Sequence, residues 1–261
     1  MTSGAGWARS TNSGRWGWPG CASTWRAPRD RAGWARLAES GAYLASREKL
    51  REAEIELMRQ RERVAELRRQ LPAGTAVQDY VFHEGPAGLG TGDGPVTTVR
   101  LAELFTGPGR ALIIYHLMYG KRQTSPCPMC TLWIDGFNAI AGHLARSADF
   151  AIAAAADPAT LRAHARSRGW HNLRLLSCGD STFKYDLGSE DAEGNQDSTI
   201  SVFTTDPDGT VRHFYSAHPR MADDIDQRGI DLLNPVWHLL DLTPAGRGDW
   251  YAELDYGAEG S

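Results

Sequence analysis

Long apolar runs, abundant cysteine and an excess of charge of either sign are all lacking in this 261-residue chain. No window approaches the roughly 18 consecutive apolar residues of a membrane span, since 111–118 and 150–156 are of strand length. No apolar stretch of about 7 to 15 residues follows Arg9 and Arg15 to form a secretory leader. A soluble, cytoplasmic protein with no membrane partner is therefore expected. The net charge of -4 supplies no basic stripe, so no nucleic-acid partner is expected either. Four cysteines, Cys21, Cys127, Cys130 and Cys178, are too few and too scattered to staple a chain of this length. With 41% hydrophobic residues, the core must come from ordinary burial.

What is present falls into four stretches. Residues 1–35 mix Gly, Ser, Thr, Arg and Trp without helical or strand periodicity, so a disordered tail is expected. An aromatic, basic arm stacking on single-stranded nucleic acid is the functional alternative, and an appendage without a role is the simpler one. Residues 36–72 read as one long amphipathic helix in which Tyr43, Leu50, Leu57, Val64 and Leu71 recur every seven positions, until Pro72 and Gly74 stop it. The second column of such a seam, Ala53, Gln60 and Leu67, is poor, which favours packing on the protein's own body over a homodimer through this helix.

The body is expected over 73–247, with a flexible tail over 248–261. Short strands at 79–82 and 96–99 flank a Gly-rich loop, followed by a helical turn at 101–105, a buried strand at 111–118 and a helix at 129–146. A strand at 150–156 leads to a helix with Asp157 as its cap, Pro158 in its first turn and Gly169 after its end. Beyond a strand at 173–177, the acidic loop 186–197 is expected to be solvated. Strands at 200–204 and 211–215 flank Asp206-Pro207-Asp208-Gly209 as a hairpin, and 230–240 is the last helix, interrupted or started at Pro235. This order predicts a mixed α/β sheet flanked by helices.

One stretch concentrates chemistry: Cys127-Pro128-Met129-Cys130 stands between the buried strand and the start of a helix. A thiolate at Cys127 would meet the unpaired N–H groups and positive end of that helix, Lys121 and Arg122 add charge, and Pro128 suits the first helical position. Cys130 lies one turn on, so Cys127 is expected to attack a disulfide and Cys130 to resolve the product. Half a zinc site, or no chemistry, are the alternatives. No second CxxC or paired-histidine spacing completes a tetrahedral set, and neither metal nor cofactor is expected.

Neighbouring residues carry double readings. His116 and Met118, with His171, His213 or His218, could suit copper, although hydrogen-bonded structural histidines are the simpler case. Asp135 either serves Cys130 as a base or favours the helix dipole from the first turn. Cys178 is either a third redox partner or a buried small side chain.

Several stretches carry a resemblance: Ser46-Arg47-Glu48, QDYVF at 78–82, VRLAELF at 99–105, LIIYHLMYG at 112–120, CPMC at 127–130 and WIDGF at 133–137. GW at 169–170, ISVF at 200–203, HFYS at 213–216 and GIDLLNPVWHLLDLTPAGR at 229–247 follow. In this order, over about 38–247, the chain resembles the thioredoxin-like family called domain of unknown function 899, predicted bacterial dithiol-disulfide oxidoreductases. The resemblance implies a thioredoxin-like fold with Cys127 and Cys130 as its dithiol.

The expected activity is an enzyme cycling that dithiol against a protein or small-molecule disulfide and a separate reductant. Thioredoxins carry a cis-proline before the strand opposite the dithiol, whereas Gln196-Asp197-Ser198-Thr199 leads into Ile200 without one. Peroxiredoxins carry Pro-x-x-x-Thr-x-x-Cys; Thr124 is in place, but Gly120 stands where the proline belongs. A thiol peroxidase and a non-catalytic binding module with a helical arm remain the alternatives.

Overall fold

In the computed structural model, residues 39–223 and 229–257 are described; the tail at 1–35, and Cys21 with it, lie outside them. The chain divides after Arg69 into two units. The first contains α1, Gly41–Arg69. Ion pairs one turn apart line it, Arg51 with Glu48 at 2.7 Å and Arg69 with Glu66 at 2.6 Å, and exposed pairs of this kind add little stability. No residue of α1 is buried. Its seam residues Tyr43, Leu50 and Leu57 are 50%, 53% and 53% exposed.

The second unit is built on a seven-stranded sheet with the order β2-β1-β5-β4-β3-β6-β7. Its centre is parallel: β3 (Ala111–Leu117), β4 (Ala148–Ala154) and β5 (Arg174–Ser177) lie side by side. The connections are α2 (Pro128–Leu144) and α3 (Pro158–Arg168). On the other side of β3, β6 (Thr199–Thr205) pairs antiparallel with it and with β7 (Val211–Ala217). This is the thioredoxin-like mixed sheet expected above. The early hairpin, β1 (Val81–Glu84) with β2 (Thr97–Arg100), joins the same sheet through an antiparallel contact of β1 with β5.

Alternation along the strands divides the apolar side chains between two faces. On one face, Tyr115, Leu117, Ile152 and Ala154 pack with Trp133, Ile134 and Phe137 of α2. On the other, Leu112, Ile114, Ala151, Ala153 and Leu176 pack with Phe82, Phe183 and Phe203. Fully enclosed side chains such as Leu117, Ile134 and Ile152 each contribute about 1.5–3 kcal/mol of burial. The caps of α3 behave as their residue types require: Asp157 accepts the Thr160 N–H at 3.0 Å, and Gly169 adopts φ 70°.

Two expectations change in part. The segment 248–257, expected as a flexible tail, is anchored at three points: Ala252 is buried, Arg168 donates to the Leu254 carbonyl at 3.0 Å, and the Trp250 ring lies 6.2 Å from Trp237. The acidic loop is not wholly solvated, because Ser189 and Gln196 are buried and Ser189 lies 2.6 Å from His116 Nδ1. A short helix, α4 (Phe183–Asp186), precedes it, and α5 (Pro235–Leu240) closes the element order. Among the described residues, no helix is long and apolar enough to cross a membrane.

Candidate active site at the head of α2

The loop from β3 into α2 is pinned on both sides. Its Gly120 has φ 102° and passes so close to the end of β4 that an added Cβ would lie 2.1 Å from the Ala156 nitrogen. Only glycine fits there. The Ala156 N–H donates to the Tyr119 carbonyl at 2.9 Å, and the Cys127 N–H donates to the Met118 carbonyl at 3.1 Å. Cys127 is thereby delivered in extended conformation as the N-cap of α2, with Pro128 in the first turn.

At that cap the Cys127 sulfur accepts the Cys130 N–H at 3.4 Å. Cys127 is partly exposed, whereas Cys130 is buried. The sulfurs are therefore unequal. The Cys127 thiol is lowered to about 7, chiefly by hydrogen bonding from the Cys130 thiol and then by the backbone N–H groups of Cys130 and Met129, against the opposing effects of burial and of the Asp197 charge. The Cys130 thiol is raised well above the ordinary range, first by burial and then by Cys127 itself. A partly exposed sulfur with a lowered thiol thus stands in front of a buried thiol held protonated.

The surroundings differ from several sequence expectations. Lys121 pairs with Glu190, so its charge is answered within the loop, and the cap supplies what lowers Cys127. Asp135 is not in the first turn of α2 and does not face Cys130. It accepts the Trp170 Nε1–H at 2.7 Å and pairs with Arg168, tying α2 to α3. His116 points to the other face of the sheet, stacked on Phe183 with centroids 4.9 Å apart. Cys178 is enclosed and donates to the Ala154 carbonyl at 3.2 Å, and burial pushes its thiol up to about 12. That is a packing role. His164 Nε2 lies 3.2 Å from Thr131 Oγ1, and His218 lies 3.7 Å from Asp197.

Sequence reasoning missed four residues that surround the pair. Tyr115 lies under Cys130. Thr131 Oγ1 donates to the Cys127 carbonyl at 3.0 Å. Asp197 places a negative charge near Cys127 while accepting from Arg220 at 2.9 Å. Lys184, buried on α4, donates to the Leu117 carbonyl at 2.9 Å, and its ammonium lies in the field of Cys178 and Cys130. A tyrosine in a strand whose other residues, His116 apart, are apolar was the available signal, because a buried phenol usually finds a partner for its hydroxyl. The head of α2 is closed by α5: Trp237 lies 5.3 Å from Trp133, and Asn234 donates to the Leu132 carbonyl at 3.1 Å.

The fold and this cap define a thioredoxin-like protein with a CxxC pair at a helix N-terminus. Residues 33–256 match the family described as bacterial protein of unknown function (DUF899), and the chain belongs to that family. No curated protein matches the sequence. Among solved structures it is similar to reduced Prx3 of Vibrio vulnificus, at 16% identity over 63% of this chain and 96% of that one, with TM-score 0.41. It is similar also to AhpC of Mycobacterium bovis, at 18% identity over 69% and 97%, with TM-score 0.40. A third is peroxiredoxin Q of Xanthomonas campestris, at 16% identity over 46% and 73%, with TM-score 0.37. Likenesses at this level carry nothing about the chemistry of this chain.

Proposed function

We propose that this protein is a dithiol-disulfide oxidoreductase that cycles Cys127 and Cys130. The observation that carries this is the pair's inequality: a partly exposed sulfur lowered to about 7 at a helix cap, directly in front of a buried thiol held protonated. The Cys127 thiolate attacks one sulfur of a substrate R–S–S–R′, forming Cys127–S–S–R and releasing R′S⁻. Cys130 then loses its proton to water and attacks the Cys127 sulfur, releasing RS⁻, and both leaving thiolates take protons from water. The substrate gains two electrons and the pair is oxidised to a disulfide, which a thiol reductant returns to the dithiol.

Mild oxidation of the intact chain followed by alkylation tests this. Cys127 and Cys130 are expected to lose reactivity together and to recover it on reduction, and peptide mapping reads each cysteine separately. If both remain alkylatable after oxidation, the reading falls.

The exposed seam of α1 supports association of two copies through this helix. Leu50 and Leu57, both 53% exposed, are the residues to charge. The double substitution Leu50→Lys and Leu57→Lys is expected to halve the mass measured by light scattering while leaving dithiol oxidation intact. An unchanged mass would count against the association.

A further inference from the structure

The Tyr115 ring is fully enclosed on β3, with the Phe137 ring at 5.4 Å and the Trp133 ring at 6.3 Å. Its hydroxyl is buried without a hydrogen-bond partner. A buried hydroxyl left unpaired costs free energy, and native proteins rarely retain one without a reason. The side chains of Cys130 from α2 and Ser198 ahead of β6 reach it in contacts that fall short of well-aligned hydrogen bonds, and the charge of Cys127 acts on it as well. Lys184, held on the Leu117 carbonyl, is the further charge that reaches Cys130.

Resting on the dithiol reading above, we propose that Tyr115 is the hydrogen-bond donor for the Cys130 thiolate, its contact with that sulfur tightening when the sulfur ionises to resolve the mixed disulfide. In the resting dithiol, Cys130 keeps its proton and the phenol lies against it without a well-aligned hydrogen bond. Once Cys127 carries the substrate half, Cys130 must lose that proton inside an apolar enclosure, where an anion without donors is strongly disfavoured. A phenol already buried beside it supplies a donor without reorganisation. The phenol keeps its own proton throughout, as burial and the neighbouring cysteines both hold it well above its ordinary range. The S–S bond forms between Cys130 and Cys127, and the electron pair leaves on RS⁻.

The test is Tyr115→Phe in the full chain, mixed with an aromatic disulfide that releases one coloured thiolate at each step. The first release reports attack by Cys127, and the second reports attack by Cys130. The substitution is expected to leave the first phase unchanged, slow the second by about 10- to 100-fold, and move the pH midpoint of the second upward. Thermal stability should hold or rise, since the hydroxyl removed makes no well-aligned hydrogen bond. Site-specific fluorotyrosine at 115, a stronger donor of the same shape, should shift the second phase the other way and serves if the phenylalanine variant does not fold. A second phase unchanged in rate and pH midpoint overturns the inference, as does equal slowing of both phases. A wild-type chain that releases only one thiolate overturns the dithiol reading itself.

Discussion

Cys127→Ser is expected to reduce disulfide turnover by about a thousandfold or more, leaving only the slow background exchange of the reductant with the substrate. A serine hydroxyl at this cap still accepts the Cys130 N–H, so the fold and the start of α2 should persist. What is lost is the thiolate. With the Cys127 thiol near 7, about half of the wild-type molecules carry the nucleophile at neutral pH, whereas an alcohol carries essentially none. The remaining Cys130 is no substitute, being buried with its thiol held protonated. Turnover with an insulin-like disulfide and a coupled reductant measures the loss. A variant retaining a tenth or more of the wild-type rate would move the chemistry away from Cys127.

The second large effect belongs to Cys130, where two substitutions separate two roles. Cys130→Ser keeps a hydroxyl donor beside Cys127 but removes the resolving sulfur, so the protein should accumulate a mixed disulfide through Cys127, visible as a covalent mass increase. Cys130→Ala also removes the side-chain hydrogen bond that contributes most to lowering Cys127. Cys127 should then titrate closer to the ordinary thiol value of about 8.5. The sign is definite: alkylation of Cys127 slows at pH 7, by roughly tenfold, and the difference closes as pH rises past 9. A more basic thiolate is intrinsically more nucleophilic, which offsets part of the loss. An alkylation profile in Cys130→Ala that overlays the wild type would show the helix cap alone sets the reactivity of Cys127.

Much of the body was readable from the chain because its signals are local. Asp157, Pro158 and Gly169 bracket α3 by cap and turn chemistry that needs no partner. The apolar runs at 111–118 and 150–156 lie over the parallel centre of the sheet, since strands covered on both faces lose their polar alternation. The Cys127 cap was legible for the same reason: CxxC with proline between, after a buried strand, specifies its own geometry. Errors arose where a residue's role depends on a distant partner. Lys121, expected to add charge at the thiolate, meets Glu190; Asp135, expected in the first turn either as a base for Cys130 or for the helix dipole, meets Trp170 and Arg168; and Ala252 is buried where a loose tail is expected.

The sequence by itself determined that a cysteine would stand at a helix N-terminus with a second cysteine one turn behind, because both the turn and the spacing are encoded within four residues. Only the tertiary structure decided which of the two is exposed, and what lies beneath the buried one. Burial and long-range polar contacts are properties of the packed sheet: Tyr115 from β3, Lys184 from α4 and Asp197 ahead of β6 come from positions as far as 82 residues apart in the chain. Tyr115 and Asp197 come together near the dithiol because β6 pairs with β3, and Lys184 reaches the Leu117 carbonyl at the end of β3 from the sheet's second face.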